Sequence, residues 1–194
     1  MPECRTIVLV APSGLGKTFL AKSLIDMYPG LFEHAPVYVT REKRDHEERI
    51  AIGRVFLSLG EFKKSSDNSE FLLQEFFANY YYGYKKDSFV PKAKHLLVDV
   101  SPGLINSSIS MYNKPIIVGL YPSEAIKTIL LDRLVSRGDS PKIIKERKPY
   151  IARDLAEMSK LHNIQRIPTR VFTIYDDSTI PEQVIPWIKE QLKL

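Results

Sequence analysis

The segment Thr6-Ile7-Val8-Leu9-Val10 runs straight into Ala11-Pro12-Ser13-Gly14-Leu15-Gly16-Lys17-Thr18, and no other stretch constrains the fold as strongly. The first part is a short, continuous run rich in β-branched residues, the signature of a strand buried on both faces of a parallel sheet. Beyond the loop, Phe19, Leu20, Leu24 and Met27 recur at helical spacing, and Pro29-Gly30 ends the helix. Strand, glycine-bearing loop and helix in that order make a phosphate cradle. Glycines let successive backbone N–H groups turn inward at the helix N-terminus. A lysine such as Lys17 then reaches the β- and γ-phosphates of a nucleoside triphosphate, and a hydroxyl such as that of Thr18 ligates Mg²⁺. Ala11 stands where the usual Gly-x-x-x-x-Gly-Lys-Ser/Thr pattern has its first glycine; Gly14, Gly16, Lys17 and Thr18 keep the rest.

Further apolar runs read as strands at Pro36 to Thr40, His95 to Val100, Pro115 to Leu120 and Arg170 to Tyr175. A helix is expected from Glu124 to about Ser136, with Ile126, Ile129, Leu130 and Leu134 on one face, and a last one from Glu182 to Leu192. Strands alternating with helices predict an α/β fold with a parallel sheet flanked by helices. Between Val55 and Gly83 the pattern is mixed, and the aromatic cluster Tyr80 to Tyr84 closes what reads as a separate small lobe. Arg137 to Arg153 is basic, with Pro141 and Pro149 bracketing its middle.

The length, 194 residues, suits one domain with inserts and suffices for a core without metal or disulfide support. A single cysteine, Cys4, allows no internal disulfide and reads as a small residue before the first strand. No signal peptide and no apolar stretch of the ~20 residues needed to span a bilayer are read, so the expectation is a cytoplasmic protein off the membrane. The net charge of +5 points to an anionic partner. No recognition helix or stacking motif accompanies it, so a phosphorylated small molecule is expected rather than nucleic acid. Asp99, near the end of its strand, is a candidate carboxylate beside a metal or an acceptor, and equally an ordinary strand-end aspartate. Arg41 to Arg49 alone would pass for a solvated charged loop, and Arg133 and Arg137, four apart on one helical face, for surface basicity.

Taken together, the motifs resemble those of the guanylate kinase family, a P-loop NTPase fold with an acceptor-binding lobe and a lid. Ala11 to Thr18 is similar to its Gly-Pro-Ser-Gly-x-Gly-Lys loop, and Thr40-Arg41-x-x-Arg44-x-x-Glu47 matches its acceptor-lobe motif. Phe56 to Phe62, Glu70-Phe71 and Tyr81-Tyr82-Gly83 follow in family order, then Arg133-Leu134-x-x-Arg137-Gly138 with Arg147, and Val171 to Asp177. The resemblance implies one domain over 1–194, with core 1–36, 91–136 and 151–194, acceptor lobe 37–90 and lid 137–150. It implies an ATP-dependent kinase using Mg²⁺, acting as a monomer or homodimer. ATP would sit on Ser13, Gly14, Gly16, Lys17 and Thr18, with Arg133 and Arg137 over it. Arg41, Arg44 and Tyr82 would hold the acceptor phosphate, with Glu47 and Asp99 in the same site. Lys17, Arg137 and Arg147 would act on the transferring group, and Thr18, with Asp99 as a second candidate, on the metal.

Three positions depart from the family's guanine-reading pattern: Val37 and Tyr84 stand for hydroxyl residues and Leu73 for a glutamate. Arg54 stands for a phosphate-contacting tyrosine. A pocket that reads a base edge needs donors and acceptors, so these changes predict an altered base or none. Leu73 and Ser101 resemble the ribose 1,5-bisphosphate phosphokinases instead. Three readings stay open: a nucleoside monophosphate kinase with GMP first, a sugar-phosphate kinase, and a non-catalytic guanylate kinase-like binding module.

Overall fold

A computed structural model describes residues 3–43, 53–90, 93–136, 141–161, 164 and 166–194. Its centre is a five-stranded parallel sheet of order β2-β7-β1-β8-β9. The strands are β1 (Thr6–Val10), β2 (Phe32–His34), β7 (His95–Val100), β8 (Ile116–Pro122) and β9 (Thr169–Ile174). In β1, Ile7 and Leu9 pack into one core with Leu20, Leu24, Leu130 and Ile188. Val8 and Val10 face the opposite core with Val98, Ile117, Met158 and Phe89. Both faces of β1 are therefore covered, which is why its sequence is apolar without alternation. Each such side chain contributes about 1.5–3 kcal/mol of burial.

Helices α1 (Lys17–Met27), α4 (Glu124–Ser136), α5 (Pro141–Met158) and α6 (Ile185–Leu192) accompany this sheet. α1 and α4 span the expected residues, and Tyr28 caps α1 just before Pro29-Gly30, but the buried stripes are narrower than expected: Phe19 and Met27 of α1 and Ile129 of α4 are exposed. α6 is preceded by a wider turn, Ile180–Val184, so its regular part starts three residues later than expected. Pro149 sits inside α5, and the expected lid boundary at 150 falls within this one continuous helix. Residues 137–140 of the expected lid lie outside the described residues.

The run around Pro36 to Thr40 is β3 (Val37–Val39), and it belongs to a separate four-stranded sheet, β4-β3-β6-β5. The second strand of the central sheet is β2, whose Phe-Glu-His has a single apolar residue because it lies at the edge. In the small sheet β3 pairs in parallel with β4 (Arg54–Phe56), while β6 (Tyr80–Tyr84) runs antiparallel to β3 and to β5 (Leu73–Phe77). Helix α2 (Leu59–Asp67) packs Phe62 onto Phe71, ring centroids 4.5 Å apart, and opens with a reciprocal Ser58–Glu61 cap. The four-residue helix α3 (Ile105–Ser108) follows β7.

Candidate functional site

One cleft of about 410 Å³ separates the small sheet from the central one, and it opens at the carboxyl ends of β1 and β7. That is the end at which parallel α/β sheets bind ligands, since loops and helix N-termini converge there. Its floor is the phosphate loop. Gly14 and Gly16 have φ of +87° and +91°, a conformation that L side chains rarely adopt. A Cβ on Gly16 would lie 2.8 Å from Ile180 Cδ1, and one on Gly14 3.2 Å from Leu134 Cδ2, so the cradle is shaped from below as well as by its own backbone. Lys17 turns its Nζ back onto the loop, donating to the carbonyls of Ala11 and, at 3.2 Å, Pro12. Thr18 is exposed to the same cleft.

Asp99 lies between that lysine and the small sheet. Its Oδ1 is 3.8 Å from Lys17 Nζ, and its Oδ2 accepts from Arg54 Nη2 at 2.6 Å. Burial pushes the Asp99 carboxyl up, but Lys17 and Arg54 outweigh it and hold the group below the ordinary aspartate value. Tyr84 donates its hydroxyl to the Asp99 carbonyl at 3.1 Å. His34, at the end of β2, completes this corner; burial and then Arg54 lower its pKa, so it is neutral near pH 7.

The small sheet contributes Arg41 just past β3, Arg54 on β4, Glu75 and Phe77 on β5, and Tyr82 and Tyr84 on β6. Arg41 is only 7% exposed, with its guanidinium 5.3 Å over the Phe56 ring. That stacking holds the fork in place, as phosphate recognition requires. From the other wall come Arg133 on α4, which pairs with Asp177 at 3.0 Å, and Arg147 and Asp154 on α5.

Thus Ser13, Gly14, Gly16, Lys17, Thr18, Arg41, Tyr82, Asp99, Arg133 and Arg147, expected from the sequence to act together, all line this cleft. Arg44, Glu47 and Arg137 lie outside the described residues. The site also includes Arg54, Glu75, Ser101, His34 and Asp154, which were not among the expected site residues. Arg54 was visible only as a departure from a tyrosine; Glu75 carried no motif. The residues fit a nucleoside triphosphate, because the glycine cradle leaves room where a Cβ would intrude and cations surround it. Among the described residues no group of three or more His, Cys, Asp or Glu could hold a metal ion.

The sequence profile described as Guanylate kinase matches residues 3–164, most of the chain. The chain belongs to the guanylate kinase family. A guanylate kinase of Chlorobium chlorochromatii is 30% identical over 141 residues, 71% of this chain and 72% of that one. A guanylate kinase of Chlamydia muridarum is 29% identical over 192 residues, covering 95% of this chain and 85% of that one. The crystal structure of a guanylate kinase from Anaplasma phagocytophilum matches the fold with a TM-score of 0.66 at 14% identity, over 100% of this chain and 89% of its own. As a guanylate kinase family member the chain is an ATP-dependent phosphotransferase, and neither the sugar-phosphate kinase nor the binding-module reading is favoured. No helix among the described residues is long and apolar enough to cross a membrane.

Proposed function

We propose that the enzyme transfers the γ-phosphoryl group of ATP to the phosphate of a nucleoside monophosphate, GMP in the first place. The observation that carries this reading is the shared cleft: the phosphate loop and the arginines of the small sheet face one another across it. The relatives' guanylate kinase names supply the acceptor. An oxygen of the acceptor phosphate attacks the γ-phosphorus as the bond to the β-phosphate oxygen breaks, leaving ADP and a nucleoside diphosphate. This chemistry needs positioning and neutralisation of charge rather than a covalent intermediate.

Lys17 exchanges the loop carbonyls for the β- and γ-phosphates. Ser13, Gly14 and Gly16 shape the cradle, and Arg133 holds the donor from above. Arg41, Tyr82 and Arg54 grip the acceptor phosphate, with Arg44 and Glu47 assigned to the same motif. Arg147, with Arg137, neutralises the transferring group. Thr18 is the residue that would hold Mg²⁺, which when bound would neutralise charge on the phosphate oxygens. Asp99 keeps Lys17 and Arg54 in register and, if it ligates the metal, must share its carboxylate with them. The lobe over 37–90 and the lid over 137–150 close on the substrates and exclude water, so transfer outruns hydrolysis.

A coupled ADP-release assay over GMP, dGMP, AMP, UMP, CMP and ribose 1,5-bisphosphate tests the reading. Turnover highest with GMP is expected. Turnover of ribose 1,5-bisphosphate alone, or of no acceptor, would refute it.

A further inference from the structure

With Leu73 in place of the expected glutamate, the cleft needs another group to choose its acceptor. Three carboxylates line it: Asp99, Asp154 and Glu75. Asp99 is committed to Lys17 and Arg54. The Asp154 side chain is only 3% exposed and accepts from Arg153 at 3.0 Å. Glu75 differs from both. Its Oε1 accepts from Ser101 Oγ at 2.9 Å, with Arg153 Nη2 more distant at 3.4 Å. Among the described residues no donor reaches Oε2. Burial raises the Glu75 pKa, against the Ser101 hydroxyl and Arg153, which lower it. A buried carboxylate gains most from ligand donors that replace the water it has lost.

Its placement follows from the strand. Along β5, Gln74 and Phe76 are exposed, while Leu73, Glu75 and Phe77 are turned inward. Glu75 stands directly across from Tyr82, and Leu73 across from Tyr84. Phe77 and Tyr84 line the cleft on either side of Glu75. Glu75 shares the cleft wall with Phe77, Tyr82 and Tyr84, and the chemistry of bases decides which of them its open oxygen can take. Guanine presents two adjacent N–H donors, at its 1- and 2-positions, to the two oxygens of one carboxylate. Adenine and cytosine place a ring nitrogen lone pair beside their amino group, which the carboxylate repels. Uracil offers a single N–H between two carbonyls.

We propose that Glu75, oriented by Ser101, is the specificity-determining residue of this enzyme and accepts the paired N–H donors of a 2-aminopurine monophosphate. This rests on the nucleoside monophosphate kinase reading above. Arg153 positions the carboxylate without choosing the base.

The test compares GMP with IMP, which keeps the 1-position N–H and lacks the 2-amino group, in the native enzyme and in Glu75→Gln. The native enzyme should prefer GMP by ~10²-fold or more in kcat/KM, since an unmatched buried acceptor discriminates strongly. Glu75→Gln should lose ~10²-fold with GMP, mainly through KM, and change little with IMP, leaving the two within several-fold. KM for ATP should stay within about twofold. Glu75→Asp, which withdraws the carboxylate by one methylene, should weaken GMP selectively and serves if the Gln variant fails to fold. Arg153→Met should retain the GMP preference. An unchanged GMP:IMP ratio in the Glu75 variants, or the same loss in Arg153→Met, would overturn this inference while GMP turnover left the general reading intact. Absence of turnover with every nucleoside monophosphate would overturn both.

Discussion

Arg54 and Asp99 are joined at 2.6 Å across the boundary between the small sheet and the central one. Because Lys17 stands 3.8 Å from the other oxygen, one carboxylate holds a cation from each half of the cleft. On the proposed reading these are a cation of the donor side and one of the acceptor side, held by a single carboxylate.

The Asp99 pair makes stability depend on acid pH. The Asp99 carboxyl titrates below its unfolded value of 3.8 because Lys17 and Arg54 outweigh burial. A depressed carboxylate contributes fully above the unfolded value and loses that contribution as pH falls through the folded one. Asp99→Asn should therefore cost about 3 kcal/mol at neutral pH, the usual cost of breaking a buried pair. The gap to the native protein should narrow below about pH 4. Urea unfolding between pH 7 and 3 measures it; a gap that stays constant would contradict the assignment.

Lys17→Ala should abolish useful turnover. Nζ is anchored on the loop's own carbonyls and poised over the donor site. Loss of one such charge typically lowers kcat by about 10²–10³-fold. ADP release at saturating ATP and acceptor is the measurement, and unchanged turnover would place the donor phosphates elsewhere.

Arg41→Ala should act on the acceptor alone. The side chain is held over Phe56 on the small-sheet wall of the cleft. A rise of about 10–100-fold in acceptor KM is expected, on the scale of 1.4 kcal/mol per tenfold. Calorimetric affinity for ATP should not change. An effect on ATP binding equal to that on the acceptor would argue against two separate phosphate grips.

Gly16→Ala should damage both stability and ATP affinity. The residue has φ +91°, and a Cβ would press on Ile180 Cδ1 at 2.8 Å. A left-handed conformation costs an L residue about 1–2 kcal/mol before any clash. Thermal melts with and without ATP separate the two effects; an undiminished ATP-induced shift would show that the cradle tolerates the methyl.

Much of the central sheet is legible from local pattern, for a physical reason. β1, β7 and β8 are buried on both faces, so their apolar runs are continuous, and α1 and α4 bury Leu20, Leu24, Ile126, Leu130 and Leu134 of their expected stripes while Phe19, Met27 and Ile129 are exposed. Edge strand β2 lacks that pressure on both faces and left only Phe32 as a signal. The donor residues are readable because the phosphate loop is contiguous. Arg41 and Tyr82 are readable through family spacing, since two strands and a helix among the described residues separate them. Glu75, Arg54 and His34 are different. Their meaning comes from strand register and from a neighbour on another element: Ser101 for Glu75, Asp99 for Arg54 and Arg54 for His34. No spacing in the chain encodes those meetings. Likewise Pro149, which reads as a helix break, is accommodated within α5.

The chain passes from the central sheet to the small one through Ala35 and Pro36, and it returns near Ser88, whose hydroxyl donates to the Pro36 carbonyl at 2.6 Å. The two ends of the inserted lobe therefore meet and are fastened to each other. Such an insert can be replaced or lengthened without pulling on the strands it leaves, because its termini keep their distance whatever lies between them. On the proposed reading, the lobe that chooses the acceptor is in this sense interchangeable, while the phosphate loop stays anchored in the sheet. Divergence at Val37, Leu73 and Tyr84 beside a phosphate loop that keeps Gly14, Gly16, Lys17 and Thr18 is the pattern that such a construction permits.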